Sequence, residues 1–308
     1  MKNRWLLCLL SLPAAWLCAG DEVRINPDIF QKKIIVESGD QRIVFNREDA
    51  AGIVEWTWQG RVFVRCPEKG HRLAAESLWS PRRLFLAANS YELKAQEIGK
   101  ESITLVFRGK IDLIPVKMEF FSGEGWWITK KCVIARNRPA MAISYTIENA
   151  GKHPRYFSFW FHNWLDFASD DAADYLLLLP GVGGVISRQL TPVGDGNLVF
   201  PVPGAPFTRN NEVFEKKYRG EPVGRAFFAL FSEKTGDAFT VRTEYDKLLQ
   251  VYTNFAGCPT LECMFQPCTL QPGESWNITV NLDFRTGMKK EDLLKEFSLP
   301  VASNGGKE

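Results

Sequence analysis

Two residues a hundred positions apart have the side chains that acid–base chemistry needs. His162 is one of three histidines in the 308-residue chain and lies in "FSFWFHNWLDF", Phe157 to Phe167. Glu262 lies in "PTLECMFQP". Side chains alternate faces along a strand, which divides both stretches in two. Phe157, Phe159 and Phe161 fall on one face as core. Tyr156, Ser158, Trp160, His162 and Trp164 fall on the other, where aromatic surfaces carry polar tips. A second buried layer does not need that mixture, whereas a sugar cleft does: indoles stack on pyranose C–H surfaces, and imidazole or carboxylate groups bond hydroxyls. A satisfied structural histidine is the competing reading. In the second stretch Thr260, Glu262, Met264 and Gln266 share one face, and Leu261, Cys263 and Phe265 share the opposite one. Glu262 is thus a carboxylate in an apolar strand, where an unpaired charge is costly. It is either ion-paired or lines a solvated site. No lysine or arginine occurs from Ala256 to Ile278, so a cationic partner must come from elsewhere.

The elements that must hold these residues are strands. "KIIVE", "QRIVF", "GIVEWTW", "RVFVRC", "YELKAQEI", "SITLVF" and "PVKMEFF" are short and rich in β-branched and aromatic residues. "WWITKKCVIA", "MAISYTIEN", "RYFSFWF", "YLLLLP", "RAFFALF", "AFTVRTEY", "LLQVYTNF" and "SWNITVNLDF" continue the series. Turns such as "SGD", "WQGR" and "LQPGES" separate them. Only "KKEDLLKEFS" has helical spacing. More than a dozen strands without alternating helices predict an all-β antiparallel sandwich or barrel. The Gly- and Pro-rich run from Thr191 to Pro222 is expected as a long excursion of the kind that walls a site.

Residues 1–20 stand apart. Lys2 and Arg4 precede the apolar "WLLCLLSLPAAWL", and small residues precede Asp21, as in a secretory signal. Leu17 before Cys18 disfavours a lipoprotein anchor. No later segment reaches the roughly 18 apolar residues of a membrane helix. The expected organisation is a signal over 1–20, one domain over 21–300 and a flexible tail over 301–308. The mature chain is expected in the periplasm or outside the cell, as a monomer without a membrane anchor. Removing Lys2 and Arg4 from 38 basic residues leaves 36 against 36 acidic ones, a net charge of about zero. With no long basic run, no nucleic-acid partner is expected. Five cysteines follow the signal: Cys66, Cys132, Cys258, Cys263 and Cys268. The spacing of the last three fits no usual zinc site. A disulfide among them competes with the reading as small apolar strand residues, which is preferred.

The residues also carry a resemblance. The run from Gly236 to Phe284, "GDAFTVRTEYDKLLQVYTNFAGCPTLECMFQPCTLQPGESWNITVNLDF", resembles the end of aldose 1-epimerases and the wider galactose-mutarotase-like superfamily. There a "v.T..p.lQ.YT.n" strand pair precedes "LE.Q..P", then "L.PGe.w". "HNWLDF" is similar to that family's "H.YFNL" block, and "AGIVEWTWQGRVFVRCPEKGHRL" to its opening strands. The similarity runs in order over most of the chain after residue 20 and is specific in the blocks 162–167 and 237–284. It implies a galactose-mutarotase-like β-supersandwich with one short C-terminal helix, a carbohydrate ligand, no cofactor and no metal. It also implies Glu262 as catalytic base and His162 as catalytic acid. The carboxylate would take the proton of the anomeric hydroxyl while the imidazolium protonates the ring oxygen; the ring opens and closes from the other face. Trp160, Trp164, Asn163, Asp166 and Gln266 are the expected substrate-binding residues around the pair. The family's "N.LHGG"-like segment and its preceding arginine are absent. His71, Trp79, Arg82 and Arg83 lie in that region as candidates for their roles, and Asp166 or Asp195 for the hydroxyl-binding aspartate. Two other classes of function fit the same scaffold: a non-catalytic carbohydrate-binding module, and a polysaccharide lyase or hydrolase.

Remaining motifs have simpler readings. "PGVGGV" (Pro180 to Val185) precedes no helix, which argues against a phosphate loop. "SDDAAD" (Ser169 to Asp174) reads as a solvated turn rather than a calcium site. In "GEGWW" one of Trp126 and Trp127 must face the core. His153 follows a turn and is expected at the surface.

Overall fold

The computed structural model describes residues 22–28, 32–65, 72–80, 82–85, 90–111, 125–165, 174–190, 197–205, 220–254 and 259–298. Within them every strand pairing is antiparallel. One α-helix is present among the described residues, α1 (Lys290–Ser298). The all-β expectation therefore holds.

The strands form three sheets. The first is a meander of β1 (Val23–Asp28), β2 (Lys33–Ser38), β3 (Gln41–Asn46), β4 (Gly52–Trp58) and β5 (Arg61–Arg65). The site-bearing sheet contains β6 (Ala75–Ser80), β7 (Arg82–Phe85), β12 (Arg155–His162), β15 (Asn197–Pro201), β18 (Leu248–Asn254) and β19 (Glu262–Phe265). Its spatial order is β15-β18-β19-β12-β6-β7, with β20 (Cys268–Leu270) also paired to β12. The largest sheet has nine strands. Its first four in sequence are β8 (Glu92–Ile98), β9 (Ser102–Lys110), β10 (Trp126–Ala135) and β11 (Ala140–Asn149). It is completed by β13 (Tyr175–Gly181), β14 (Gly184–Gln189), β16 (Phe227–Ser232), β17 (Ala238–Arg242) and β21 (Ser275–Arg285). Its order is β14-β13-β16-β17-β21-β11-β10-β9-β8.

Both smaller sheets face the large one. Trp56 of β4 and Phe63 of β5 meet Phe284 of β21, and Phe45 of β3 meets Phe107 of β9. In the other sheet Phe159 and Phe161 of β12 pack on Tyr145 of β11, and Phe157 on Trp126. A bridge between Ile53 and Leu73 links the two smaller sheets into one layer. The alternation in β9, β10, β11 and β21 supplies one core row per strand, with the opposite row turned outward. β13 and β16 are buried on both faces, because Leu293 and Phe297 of α1 cover the outer side of Leu176, Leu178 and Phe227. That explains their unbroken apolar runs, "YLLLLP" and "FFALF".

A charged group interrupts the core row of β10. Lys130 is fully buried and donates from Nζ to the carbonyls of Ala50 (3.3 Å), Ala51 (3.1 Å) and Ala74 (2.7 Å). Glu76 Oε1 lies 2.8 Å from the same nitrogen, also fully buried. The three donors of an ammonium thus meet three carbonyls, and the carboxylate supplies the countercharge. All three alanines have left-handed backbone, with φ of 56°, 49° and 57°. That conformation costs a non-glycine residue about 1–2 kcal/mol, and here it aims carbonyls at the ammonium. Burial raises the Glu76 carboxyl above its ordinary range, and Lys130 opposes that shift.

Most expected strands are present. "PVKMEFF" lies outside the described residues, as do residues 1–20 and 301–308. Strands β1, β6, β7, β14, β15 and β20 went unread, and of these β1, β7, β14 and β15 are sheet edges. An edge strand packs on fewer neighbours, so its apolar pattern is weaker. β15 falls inside the Gly- and Pro-rich excursion, which is therefore partly sheet; its 191–196 and 206–219 lie outside the described residues. "PGVGGV" is the hairpin between β13 and β14. Trp126 is the core tryptophan, while Trp127 lies under the Arg108 guanidinium at 4.8 Å, and His153 is exposed. Cys132, Cys263 and Cys268 are free thiols, as the preferred reading has it. Cys66 and Cys258 lie outside the described residues.

Candidate functional site

Pairing register brings the two distant residues together. β12 pairs with β19 through Trp160–Met264 and Phe161–Cys263, and continuing that ladder sets His162 opposite Glu262. Alternation then decides which face each side chain takes. Phe157, Phe159, Phe161, Leu261, Cys263 and Phe265 all enter the main core. Trp160 and Met264 emerge on the other side, where they cluster with Val199 and Tyr252. The outer face of this sheet is therefore a second, smaller buried surface, and His162 and Glu262 belong to it.

The partner of Glu262 is His162. Nδ1 of the ring lies 2.7 Å from Glu262 Oε2, and the two side chains are only 2% and 3% exposed. The carboxylate oxygen sits off the ring N–H axis, so the contact is close without being a linear hydrogen bond. On the opposite side of the ring, Nε2 lies 2.8 Å from Ser77 Oγ of β6. Indoles cover the two ring faces. Trp160 stacks at 4.4 Å between centroids with planes 24° apart, and Trp164 at 5.2 Å and 14°. Such i and i±2 stacking follows from strand geometry, since alternate side chains stand side by side on one face.

Around this centre the sheet sets further polar groups. Tyr252 stands directly across from Glu262 on β18, and its ring meets Trp160 edge-on at 5.5 Å. Its hydroxyl bonds Asn197 Oδ1 and accepts from Asn254 Nδ2. Gln250, 2% exposed, donates to Met264 Sδ at 2.8 Å, while its Oε1 has no partner among the described residues. A buried amide oxygen without a partner is unusual and commonly marks a place where a ligand or water belongs.

Two expected substrate-binding residues do other work. Asn163 is fully buried on the core side; its Oδ1 accepts from Ala74 N at 3.1 Å and its Nδ2 donates to Leu261 O at 2.8 Å. It knits the strands that carry Ser77, His162 and Glu262, and alternation puts it on the face opposite His162. Gln266 donates to the carbonyls of Asp246 (2.9 Å) and Leu248 (3.2 Å), anchoring the start of β18 beyond the far end of β19. His71, Asp166 and Asp195 lie outside the described residues. So do the side chains of Trp79, Arg82 and Arg83, although their backbones run in β6 and β7. Ser77, Gln250 and Tyr252 were missed in the sequence. Alternation applied to "LLQVYTN" puts Gln250 and Tyr252 on one face, while "AESLWS" carries no apolar alternation to find Ser77.

Comparison with known proteins adds the family context. No protein-family model and no curated protein matches the sequence. Solved structures do match by shape. A galactose mutarotase-like protein from Clostridium acetobutylicum superimposes with a TM-score of 0.55 at 9% identity, over 87% of this chain and all of that one. A second, from Lactobacillus casei, gives 0.52 at 12% identity over 82% of this chain and all of that one. The fold is galactose-mutarotase-like. A protein from Synechocystis sp. PCC 6803 shares it at 0.54 and 13% identity, over 87% of this chain and 96% of that one. The GH36 alpha-galactosidase AgaB from Geobacillus stearothermophilus gives 0.52 at 15% identity. There 86% of this chain covers 41% of the larger enzyme. The galactose-mutarotase-like fold thus occurs both alone and as part of a glycosidase.

Proposed function

We propose that the protein binds a sugar over the outer face of the β12–β19 sheet and interconverts its anomers, with Glu262 as base and His162 as acid. The observation that carries this reading is the His162–Glu262 contact held between Trp160 and Trp164. The anomeric hydroxyl and the ring oxygen hang from the same carbon. A carboxylate and an imidazolium in mutual contact therefore have the right spacing to address both atoms when a sugar displaces one from the other. The carboxylate takes the anomeric proton, the imidazolium gives one to the ring oxygen, and the opened aldehyde turns before closure. Tryptophan faces suit the apolar side of a pyranose. The fold shared with galactose mutarotase-like proteins supports the same class of ligand. From the composition of residues 1–20 we propose that the protein is exported to the periplasm or beyond; N-terminal sequencing of the secreted protein tests this.

A second reading has its own observation. Both His162 ring nitrogens are engaged and the pair is almost wholly buried, which suits a binding module that never uses the pair as acid and base. Exchange spectroscopy by NMR on a panel of aldoses separates the two. Catalysis predicts accelerated anomer exchange in wild type and its loss in Glu262→Gln; saturable binding without exchange favours the module. A panel that neither binds nor exchanges contradicts both.

A further inference from the structure

Ser77 has no part in the reading above, yet it makes the well-formed hydrogen bond of the site. Nδ1 of the His162 ring faces Glu262 Oε2, and Nε2 is the ring nitrogen turned away from it. Its partner at 2.8 Å is the Ser77 hydroxyl, which is fully buried. A hydroxyl donates one hydrogen and accepts others, and its hydrogen rotates freely. It accepts from Nε2–H when the ring is an imidazolium and donates to the Nε2 lone pair when the ring is neutral. Both states are satisfied without moving a heavy atom. In a site this dry, a partner able to meet only one state would leave a buried polar atom unpaired in the other.

Geometry gives the serine a second task. Trp160 and Trp164 hold the plane of the ring, while Ser77 and Glu262 at opposite nitrogens hold its rotation within that plane. We propose that Ser77 is a positioning residue for His162, bonding Nε2 so that Nδ1 stays turned toward Glu262. The proposal rests on His162 being the acid of the reading above.

The chain has three histidines, so its imidazole 15N spectrum is simple, and His162→Asn assigns the resonances. Wild type is expected to show a protonated Nδ1 and, in the neutral ring, an Nε2 that accepts a hydrogen bond. Ser77→Ala, a small change in a packed strand, is expected to give mixed tautomers and an Nδ1–H that exchanges with water about tenfold faster or more. Anomer exchange in that variant should lose about tenfold to a hundredfold in kcat with little change in KM, as misorientation of a catalytic group does. Ser77→Thr keeps the hydroxyl and should restore both readouts; Ser77→Cys, close in volume with a weak donor, should not. A Ser77→Ala protein with the wild-type tautomer and wild-type kcat overturns the proposal. The tautomer needs no substrate, so if no sugar exchanges in any variant, the anomer reading fails while the spectrum still decides the role of Ser77.

Discussion

Glu262→Gln keeps the shape of the side chain and removes its charge, so it isolates what the charge does. If the carboxylate takes the anomeric proton, anomer exchange should fall by about a hundredfold to ten-thousandfold, the usual share of general acid–base catalysis. Far-UV circular dichroism should stay unchanged, and a variant exchanging at the wild-type rate would remove Glu262 from the chemistry. Buried thiols report on this strand and on β10 behind it. Burial pushes Cys132 up to about 12 and raises Cys263 further, with the Glu262 charge adding to the effect. Native protein at pH 8 should therefore leave both unmodified by Ellman's reagent until urea unfolds it, because the thiolate is the reactive form. Rapid modification of Cys263 in native protein would mean that β19 opens. Alternation alone separated the three core phenylalanines from His162 and showed that Glu262 needed a partner. It could not name that partner, since the pairing depends on a register between strands a hundred residues apart.

At the scale of elements, the site is three adjacent strands whose spacing is kept by buried side chains on the core face. Asn163 is the clearest of these ties, bonded to backbone groups on both neighbouring segments. Asn163→Ala leaves the Ala74 N–H and the Leu261 carbonyl unpaired, at about 1–3 kcal/mol for each buried group. Urea unfolding should show a loss of that order, and a variant as stable as wild type would mean that the tie is dispensable. Its role was not legible because the sequence shows a polar residue beside a histidine, and only the face it takes tells scaffold from ligand contact. Interior strands of the sandwich were legible because two-sided packing imposes β-branched and aromatic residues. The edges β1, β7, β14 and β15 were not, and neither was β6. Its "AESLWS" carries Glu76 inward and Ser77 outward, so two polar residues with separate tasks erase the alternation that marks a strand.

Across the whole molecule, one buried ammonium holds the two layers in register. Lys130 of the large sheet draws in the carbonyls of Ala50 and Ala51 beside the first sheet, and the Ala74 carbonyl and Glu76 carboxylate at the start of β6. Lys130→Met strands the Glu76 charge and should cost about 3–5 kcal/mol, as breaking a buried pair does. Adding Glu76→Gln should recover part of the loss, and strictly additive effects would show that the pair does not couple. The sign of the pH dependence follows from burial, which raises the Glu76 carboxyl. With its cation gone, the folded state keeps a proton that the unfolded state releases. Stability of Lys130→Met should then fall as pH rises past the ordinary carboxylate value, more steeply than in wild type. The resemblance in the 162–167 and 237–284 blocks anticipated the supersandwich, while the cage that joins its layers left no pattern in the sequence. The proposed sugar site is the outer face of the β12–β19 sheet, and a crystal soaked with an exchanging aldose tests that most directly. The expected result is a pyranose with its anomeric oxygen and ring oxygen about 3 Å from Glu262 and His162, the reach of proton transfer, and one face against Trp160 or Trp164. A sugar bound elsewhere, with the His162–Glu262 contact still closed at 2.7 Å, would contradict it.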